Sequence, residues 1–205
     1  MNISGKTMRY KVVVFDFDGT LVQSNQVKRE AYYHAFPASE RYRTNITQIL
    51  KEFPELNRYD TIEKIIALTG DDLSSQEVVD TYNKLVLEGV IGALELDFAA
   101  RVLEFLRASG VNLYLSSNTP LDVLDKIISA RNLKHYFCDI SGYPSKKSDF
   151  LGKLIANNKF LASEYLVVGD GNSDRLSAST NGAHFFYVDS NSLENLYKKL
   201  TISGC

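Results

Sequence analysis

The chain has 205 residues, 44% of them hydrophobic, which is enough to bury a core in one domain or in two small ones. Its formal net charge of −2 gives no sign of the strongly basic face expected of a nucleic-acid-binding protein, so that class is not favoured. No apolar run reaches membrane-spanning length, the N-terminal segment has no signal-peptide core, and Cys138 and Cys205 are too few for a disulfide framework. We therefore expect a soluble cytoplasmic protein without a nucleic-acid or membrane partner.

Four short runs of β-branched and aromatic residues predict buried parallel strands. They are residues 10–18 (YKVVVFDFD), 111–118 (VNLYLSSN), 164–171 (EYLVVGDG) and 183–189 (AHFFYVD). Four other segments repeat apolar residues at helical spacing, namely 97–109, 119–132, 147–158 and 191–200. Strands that alternate with helices predict an α/β fold with a Rossmann-like, open and mostly parallel sheet.

The alternation is interrupted after the first strand. Residues 21–95 contain no clear strand but four helix-like segments, which are 24–36, 44–52, 58–69 and 75–91. We therefore predict an α/β core domain formed by residues 1–20 and 96–205, and a small all-α domain formed by residues 21–95.

Two pairs of aspartates follow predicted strands. Asp16 and Asp18 end the first strand, and Asp170 and Asp174 follow the third, in the sequence VVGDGNSD. In an open parallel sheet the ligand crevice lies outside the carboxyl ends of the strands, so the four carboxylates would converge there. The four carboxylates would repel one another without a cation, and a site with only oxygen ligands favours Mg²⁺. We therefore predict a Mg²⁺ site.

The same edge of the sheet offers groups that could bind an anion. The Ser117 hydroxyl and the backbone N–H groups around Asn118 precede a helix that Pro120 is predicted to open, which is a favourable place for a phosphate. Either Lys146 or Lys147, at the start of a later helix, could neutralise further negative charge. A substrate with a phosphate group would therefore suit this crevice.

Four motifs occur in the order typical of one superfamily. DFDGT (16–20), SSN (116–118), a later lysine and GDGNSD (169–174) resemble the motifs of the haloacid dehalogenase (HAD) superfamily. The helical insertion resembles the type 1 cap of its subfamily I, whose members include phosphoglycolate phosphatase-like proteins. The resemblance implies a phosphatase that uses Mg²⁺ and forms an aspartyl-phosphate while hydrolysing a small phosphorylated metabolite, possible examples being sugar phosphates.

The resemblance also implies roles for the acids. Asp16 would be the nucleophile, and Asp18 would be the general acid for the leaving group and then the general base for water. Asp16, Asp170 and the backbone carbonyl of Asp18 would hold Mg²⁺, with Asp174 as a further acid on the metal side.

Three residues would stabilise the transferring phosphoryl group in the same scheme, namely Ser117, Asn118 and one of the two lysines. We choose Lys147 because it precedes Leu151 and Leu154 with the expected helical phase, and Lys146 remains the alternative.

The substrate and the reaction are less constrained by these motifs. Arg58, followed by Tyr59, resembles an Arg-Tyr pair of HAD hydrolases associated with surface-sugar biosynthesis, so we predict that Arg58 contributes to substrate specificity. One alternative function is a sugar phosphomutase of the same superfamily, which also keeps the second aspartate. Another is a non-catalytic HAD-fold binding protein, whose expected signature is the loss of Asp16, Asp18 or the lysine; this chain has lost none of them.

Overall fold

The structure, a computed structural model, describes residues 8–54, 56–189 and 192–203. The chain divides into two compact units. The core unit comprises residues 1–23 and 94–205, and the helical unit comprises residues 24–93. Cys138 is an exposed free thiol, whereas Cys205 and Asn191, the start of the last predicted helix, lie outside the described residues.

The helical unit contains four helices. They are α1 (Asn25–Ala35), α2 (Glu40–Glu52), α3 (Arg58–Thr69) and α4 (Ser75–Gly92). Helix α2 begins four residues before the predicted start, because the Ser39 hydroxyl caps it by accepting the Tyr42 backbone N–H at 3.3 Å. Fully buried aliphatic side chains from three of the helices form the interior of the unit, namely Ile46, Ile62, Ile65, Val86 and Val90.

A parallel sheet of five strands forms the centre of the core unit. Its strands are β1 (Val12–Phe15), β2 (Asn112–Pro120), β3 (Asp139–Tyr143), β4 (Tyr165–Gly169) and β5 (His184–Tyr187). Their order in the sheet is β3-β2-β1-β4-β5, with Phe15 of β1 paired to Leu115 on one side and to Val168 on the other. The predicted α/β, Rossmann-like architecture is confirmed, and β1 ends in the middle of the carboxyl edge.

Helices cover both faces of this sheet. The core unit contributes α5 (Ala99–Ala108), α6 (Leu121–Ala130), α7 (Lys147–Asn157), α8 (Asn172–Asn181) and α9 (Ser192–Ser203). On one face, Val12 and Val14 of β1 pack in a cluster with Leu151 of α7 and Ala178 of α8. The alternate residues of β1 point to the other face and are fully buried too, which explains why its sequence is a continuous apolar run.

The sequence prediction missed one strand and misplaced the ends of the other four, of which those of β1 and β2 matter for the site. Strand β3 has the sequence DISGY, and as the edge strand it is buried only in part, so it lacks the continuous apolar pattern of a central strand. Strand β1 ends at Phe15, so Asp16 and Asp18 lie in the following loop rather than on the strand. Strand β2 continues to Pro120, and helix α6 begins only at Leu121.

In the described part of the chain, no helix has both the length and the apolar composition that crossing a membrane requires.

Replacing Gly142 by alanine should destabilise the core unit. An added Cβ would lie 2.7 Å from the Thr119 carbonyl oxygen and 2.7 Å from the Leu121 Cα, so the backbone of β2 would have to move. We expect the free energy of unfolding to fall by about 1–3 kcal/mol in urea denaturation. Gly92→Ala is the control, because a Cβ there meets no atom within 4 Å, and equal stability of the two variants would contradict the prediction.

Candidate active site

The loop after β1 holds two buried aspartates in fixed positions. The Asp16 backbone N–H donates to the Val168 carbonyl at 2.8 Å, which ties the residue to the neighbouring strand β4. Beyond Asp18 the chain turns sharply: Gly19 has a φ of 73°, and the Leu21 N–H donates to the Phe17 carbonyl at 2.9 Å. A positive φ is easily adopted by glycine, so the DG pair allows the turn that leaves both carboxylates at the carboxyl edge.

Lys147 lies between two of the predicted site aspartates. It is the first residue of α7, and its Nζ is 2.8 Å from an oxygen of Asp16 and 2.8 Å from an oxygen of Asp174. Its side chain is 5% exposed, whereas Lys146 is exposed. The structure therefore brings Lys147, and not Lys146, to the aspartates.

Asp170 and Asp174 reach the same place from the loop and helix that follow β4. Strand β4 ends at Gly169, and Asp174 lies in the first turn of α8, where it accepts the Gly171 N–H at 3.2 Å. One carboxylate oxygen from each of Asp16, Asp170 and Asp174 lies within 4.8 Å of those of the other two. An all-oxygen cluster of this size, on the edge predicted from the sequence, fits a hard divalent cation.

The electrostatics of this cluster follow from its burial. Burial, and then the charge of Asp16, raise the pKa of Asp174 to about 7, against the opposing effect of Lys147. Burial lowers the pKa of Lys147, but the negative charges of Asp16 and Asp174 outweigh it and raise that pKa above its ordinary value. Lys147 therefore stays protonated, and a bound cation would favour the ionised form of Asp174.

Asp18 belongs to a second group of contacts, formed with strand β2. Its Oδ2 accepts hydrogen bonds from the Ser117 hydroxyl at 3.2 Å and from the Thr119 hydroxyl at 2.9 Å. The Ser117 oxygen in turn accepts the Thr119 backbone N–H at 3.1 Å. All three side chains are buried. The Ser117 hydroxyl, which the sequence predicts to bind phosphate, thus points to Asp18, the predicted general acid.

The sequence prediction missed Thr119. It ended the strand at Asn118, whereas β2 continues to Pro120. Because residues two apart on a strand share a face, the serine at 117 was itself the signal that the threonine at 119 points the same way.

Two of the predicted site residues have other contacts. Asn118 points to the other side of β2 and is exposed, with its Nδ2 3.4 Å from the Ser173 hydroxyl. Arg58 is the first residue of α3 in the helical unit. It is 7% exposed, donates a hydrogen bond to the Asn83 side chain, and lies 5.2 Å from the centre of the Tyr82 ring.

Comparisons with known proteins give one consistent result. Residues 10–182 match the family described as haloacid dehalogenase-like hydrolases. A phosphoglycolate phosphatase from Photobacterium profundum is 27% identical over 187 residues, which cover 85% of this chain and 81% of that protein.

Two solved structures share the fold at low sequence identity. YfnB from Bacillus subtilis, solved bound to magnesium, superposes with a TM-score of 0.74 at 18% identity, covering 95% of this chain and 100% of that one. A protein from Thermotoga maritima, provisionally assigned as a β-phosphoglucomutase, gives a TM-score of 0.66 at 16% identity and covers 91% of each chain.

Gly169→Ala should weaken binding of a divalent cation at this cluster, with Mg²⁺ as the ion to test. An added Cβ would lie 2.3 Å from the Asp174 Cγ, so the carboxyl group would have to leave its position beside Lys147. We expect an affinity loss of roughly 10–100-fold, as is typical when the support of a metal ligand is disturbed, measured by isothermal titration calorimetry. Asp125→Asn removes an exposed acid as the control, and an unchanged affinity of Gly169→Ala would contradict this assignment of the cluster.

Proposed function

Because this chain belongs to the haloacid dehalogenase-like hydrolase family, we propose that it is a Mg²⁺-dependent phosphatase of a small phosphorylated metabolite. The observation that carries the proposal is the contact of Lys147 Nζ with both Asp16 and Asp174, at 2.8 Å each. A buried carboxylate flanked by a cation and by further acids suits phosphoryl transfer, in which catalysis is mostly positioning and electrostatic stabilisation.

The donor set fits Mg²⁺. The side chains of Asp16, Asp170 and Asp174 would hold the ion together with the backbone carbonyl of Asp18, and the clustering of three carboxylate oxygens supports this assignment. When bound, the ion would offset the repulsion of the carboxylates and the negative charge of a phosphoryl group. The magnesium found in the structure of YfnB supports the same choice of metal.

Asp16 and Asp18 divide the chemistry between them. A carboxylate oxygen of Asp16 attacks phosphorus, the bond from phosphorus to the leaving oxygen breaks, and that oxygen takes a proton from Asp18. Water then attacks the phosphorus of the aspartyl-phosphate and gives a proton to Asp18. Inorganic phosphate leaves, and Asp16 is regenerated as a carboxylate.

Ser117, Asn118 and Lys147 act on the phosphoryl oxygens. The ammonium group of Lys147 already lies 2.8 Å from Asp16, so it would meet the oxygens of a phosphoryl group bonded to that residue. Ser117 would have to turn its hydroxyl from Asp18 to the phosphoryl group, and exposed Asn118 offers amide and backbone donors.

We further propose that the helical unit is a cap that reads the substrate. The predicted domains, a core of 1–20 and 96–205 and a cap of 21–95, are supported by the two units of the fold. In the cap, no carboxylate among the residues that the structure describes forms an ion pair with Arg58. Its guanidinium donates to the Asn83 side-chain amide and lies over the Tyr82 ring. A buried guanidinium with this environment suits recognition of an anionic or hydroxyl group of the substrate.

A sugar phosphomutase is a second candidate, favoured by the likeness to the Thermotoga maritima protein. A mutase would also need Asp18, which transfers protons in both reactions. It would interconvert two sugar phosphates without changing the amount of free phosphate, so one assay of phosphate release separates the two functions.

Phosphate release from a panel of sugar phosphates and other small phosphoesters is the decisive experiment. With Mg²⁺ we expect release that stops when EDTA removes the metal. Asp16→Asn should lower the rate of release by at least about 10³-fold, because an amide cannot replace the carboxylate as the nucleophile. The variant's folding is checked by circular dichroism.

Each result of this assay bears on one function. Release from the folded Asp16→Asn variant at the normal rate would refute the nucleophile assignment. Interconversion of two sugar phosphates without release would establish the mutase instead. Metal binding without turnover of any ester would favour a non-catalytic binding protein.

Arg58→Met should raise KM for the best metabolite of the panel more than KM for para-nitrophenyl phosphate. Loss of a charged hydrogen bond predicts a rise of about 10–100-fold for the metabolite. The rise should be smaller for para-nitrophenyl phosphate, which beyond its phosphate has no hydroxyl or anionic group and only a weakly accepting nitro group. Steady-state kinetics give both values. Arg43→Met is the control, since Arg43 is an exposed arginine of the same unit whose guanidinium lies 5.9 Å from the centre of the Tyr33 ring. Equal KM values for Arg58→Met and the parent protein would leave Arg58 with a purely structural role.

A further inference from the structure

Thr119 is the buried neighbour of Asp18 that the proposed mechanism does not yet use. Its hydroxyl donates to Asp18 Oδ2 at 2.9 Å, a shorter contact than the 3.2 Å of Ser117. Thr119 is 0% exposed and Asp18 is 7% exposed, so bulk water does not compete strongly for this bond. Hydrogen bonds from hydroxyl groups to a carboxylate are among the stronger ones in proteins.

Several features of the fold keep the Thr119 side chain in this place. Pairing between β2 and β3 is irregular between Ser116 and Pro120, which is the kind of irregularity that re-aims side chains at the end of a strand. The β-branched side chain has few χ1 rotamers, and the Thr119 N–H is held by the Ser117 oxygen. A Cβ added to Gly142 of β3 would lie 2.7 Å from the Thr119 carbonyl oxygen, so the backbone of Thr119 is closely packed against β3.

The Ser117 hydroxyl cannot donate to a phosphoryl oxygen and to Asp18 at the same time. A serine hydroxyl has one proton to donate. When Ser117 turns that proton to a phosphoryl oxygen, it gives up the hydrogen bond that it donates to Asp18. Thr119 then remains as a donor to Oδ2, on the same face of β2.

On the basis of the proposed phosphatase function, we propose that Thr119 is a positioning residue that fixes the orientation of the Asp18 carboxyl group throughout the reaction. Because Oδ2 accepts the Thr119 hydrogen bond, the proton that Asp18 transfers is carried by its other oxygen, Oδ1. Thr119 thereby sets which oxygen of Asp18 acts as the acid, without touching the substrate itself.

This role predicts a dependence on the leaving group. An alkyl phosphate releases a strongly basic oxygen that needs a proton from Asp18, whereas para-nitrophenol leaves readily as an anion. Misorientation of Asp18 should therefore harm hydrolysis of the alkyl ester far more. The ratio kcat/KM is the suitable measure, because it covers the steps only up to departure of the alcohol.

The experiment compares Thr119→Val, Thr119→Ser and the parent protein on glycerol phosphate, or on the best alkyl phosphate of the panel, and on para-nitrophenyl phosphate, with Mg²⁺ present. Thr119→Val keeps the shape but removes the hydroxyl, and we expect kcat/KM to fall about tenfold or more on the alkyl ester and less than about threefold on the aryl ester. Thr119→Ser should restore the alkyl activity to within about threefold, since it restores the donor. Ser141→Ala, which removes a buried hydroxyl from the adjacent strand β3, is the control and should leave kcat/KM unchanged on both the alkyl and the aryl ester.

The outcomes separate this inference from the proposed function. Equal losses on both esters, an unchanged Thr119→Val variant or a failure of Thr119→Ser to restore activity would overturn the positioning role while leaving the phosphatase intact. Absence of phosphate release by the parent protein from any ester would overturn the proposed function, and the inference with it. If Thr119→Val does not fold, Thr119→Ala is tested by the same comparison.

Discussion

The contact of one buried ammonium group with two buried carboxylates is the interaction on which the site depends. Lys147 lies 2.8 Å from both Asp16 and Asp174, where three acidic side chains crowd together. Removing one partner from such a group leaves an uncompensated buried charge, which is far more costly than losing a surface ion pair. Lys147 contacts two of the three clustered acids, and the oxygen-only donor set is one that a hard divalent cation prefers.

The topology of the sheet creates this cluster by bringing distant parts of the chain together. With β1 between β2 and β4, the loop after β1 has the ends of both neighbours beside it. Strand β4 leads to Asp170 and Asp174. Helix α7, which packs with α8 on one face of the sheet, begins at Lys147. On the other side β2 supplies Ser117 and Thr119 to Asp18. Asp16 and Asp18 thus have different neighbours, which suits the different roles proposed for them.

Predictions from the sequence were most accurate where a local pattern has a local cause. Helix α3 has the predicted bounds of 58 and 69, because Asn57 caps its start and a left-handed Gly70 ends it. The edge strand β3 was missed since its partial burial leaves only a weak apolar pattern, and its pairing with β2 depends on distant residues. Thr119 was missed because the end of β2 was placed two residues too early.

The sequence by itself determined the α/β class, the order of the motifs and the residue types at the carboxyl edge, because strand and helix periodicity and the turn residues act over short distances. It left open which lysine reaches the aspartates and what the Ser117 hydroxyl contacts. Only the tertiary structure decided these points, placing Lys147 rather than Lys146 between Asp16 and Asp174 and directing two hydroxyl groups to Asp18. The physical reason is that such contacts depend on the packing of strands and helices that are far apart in the chain.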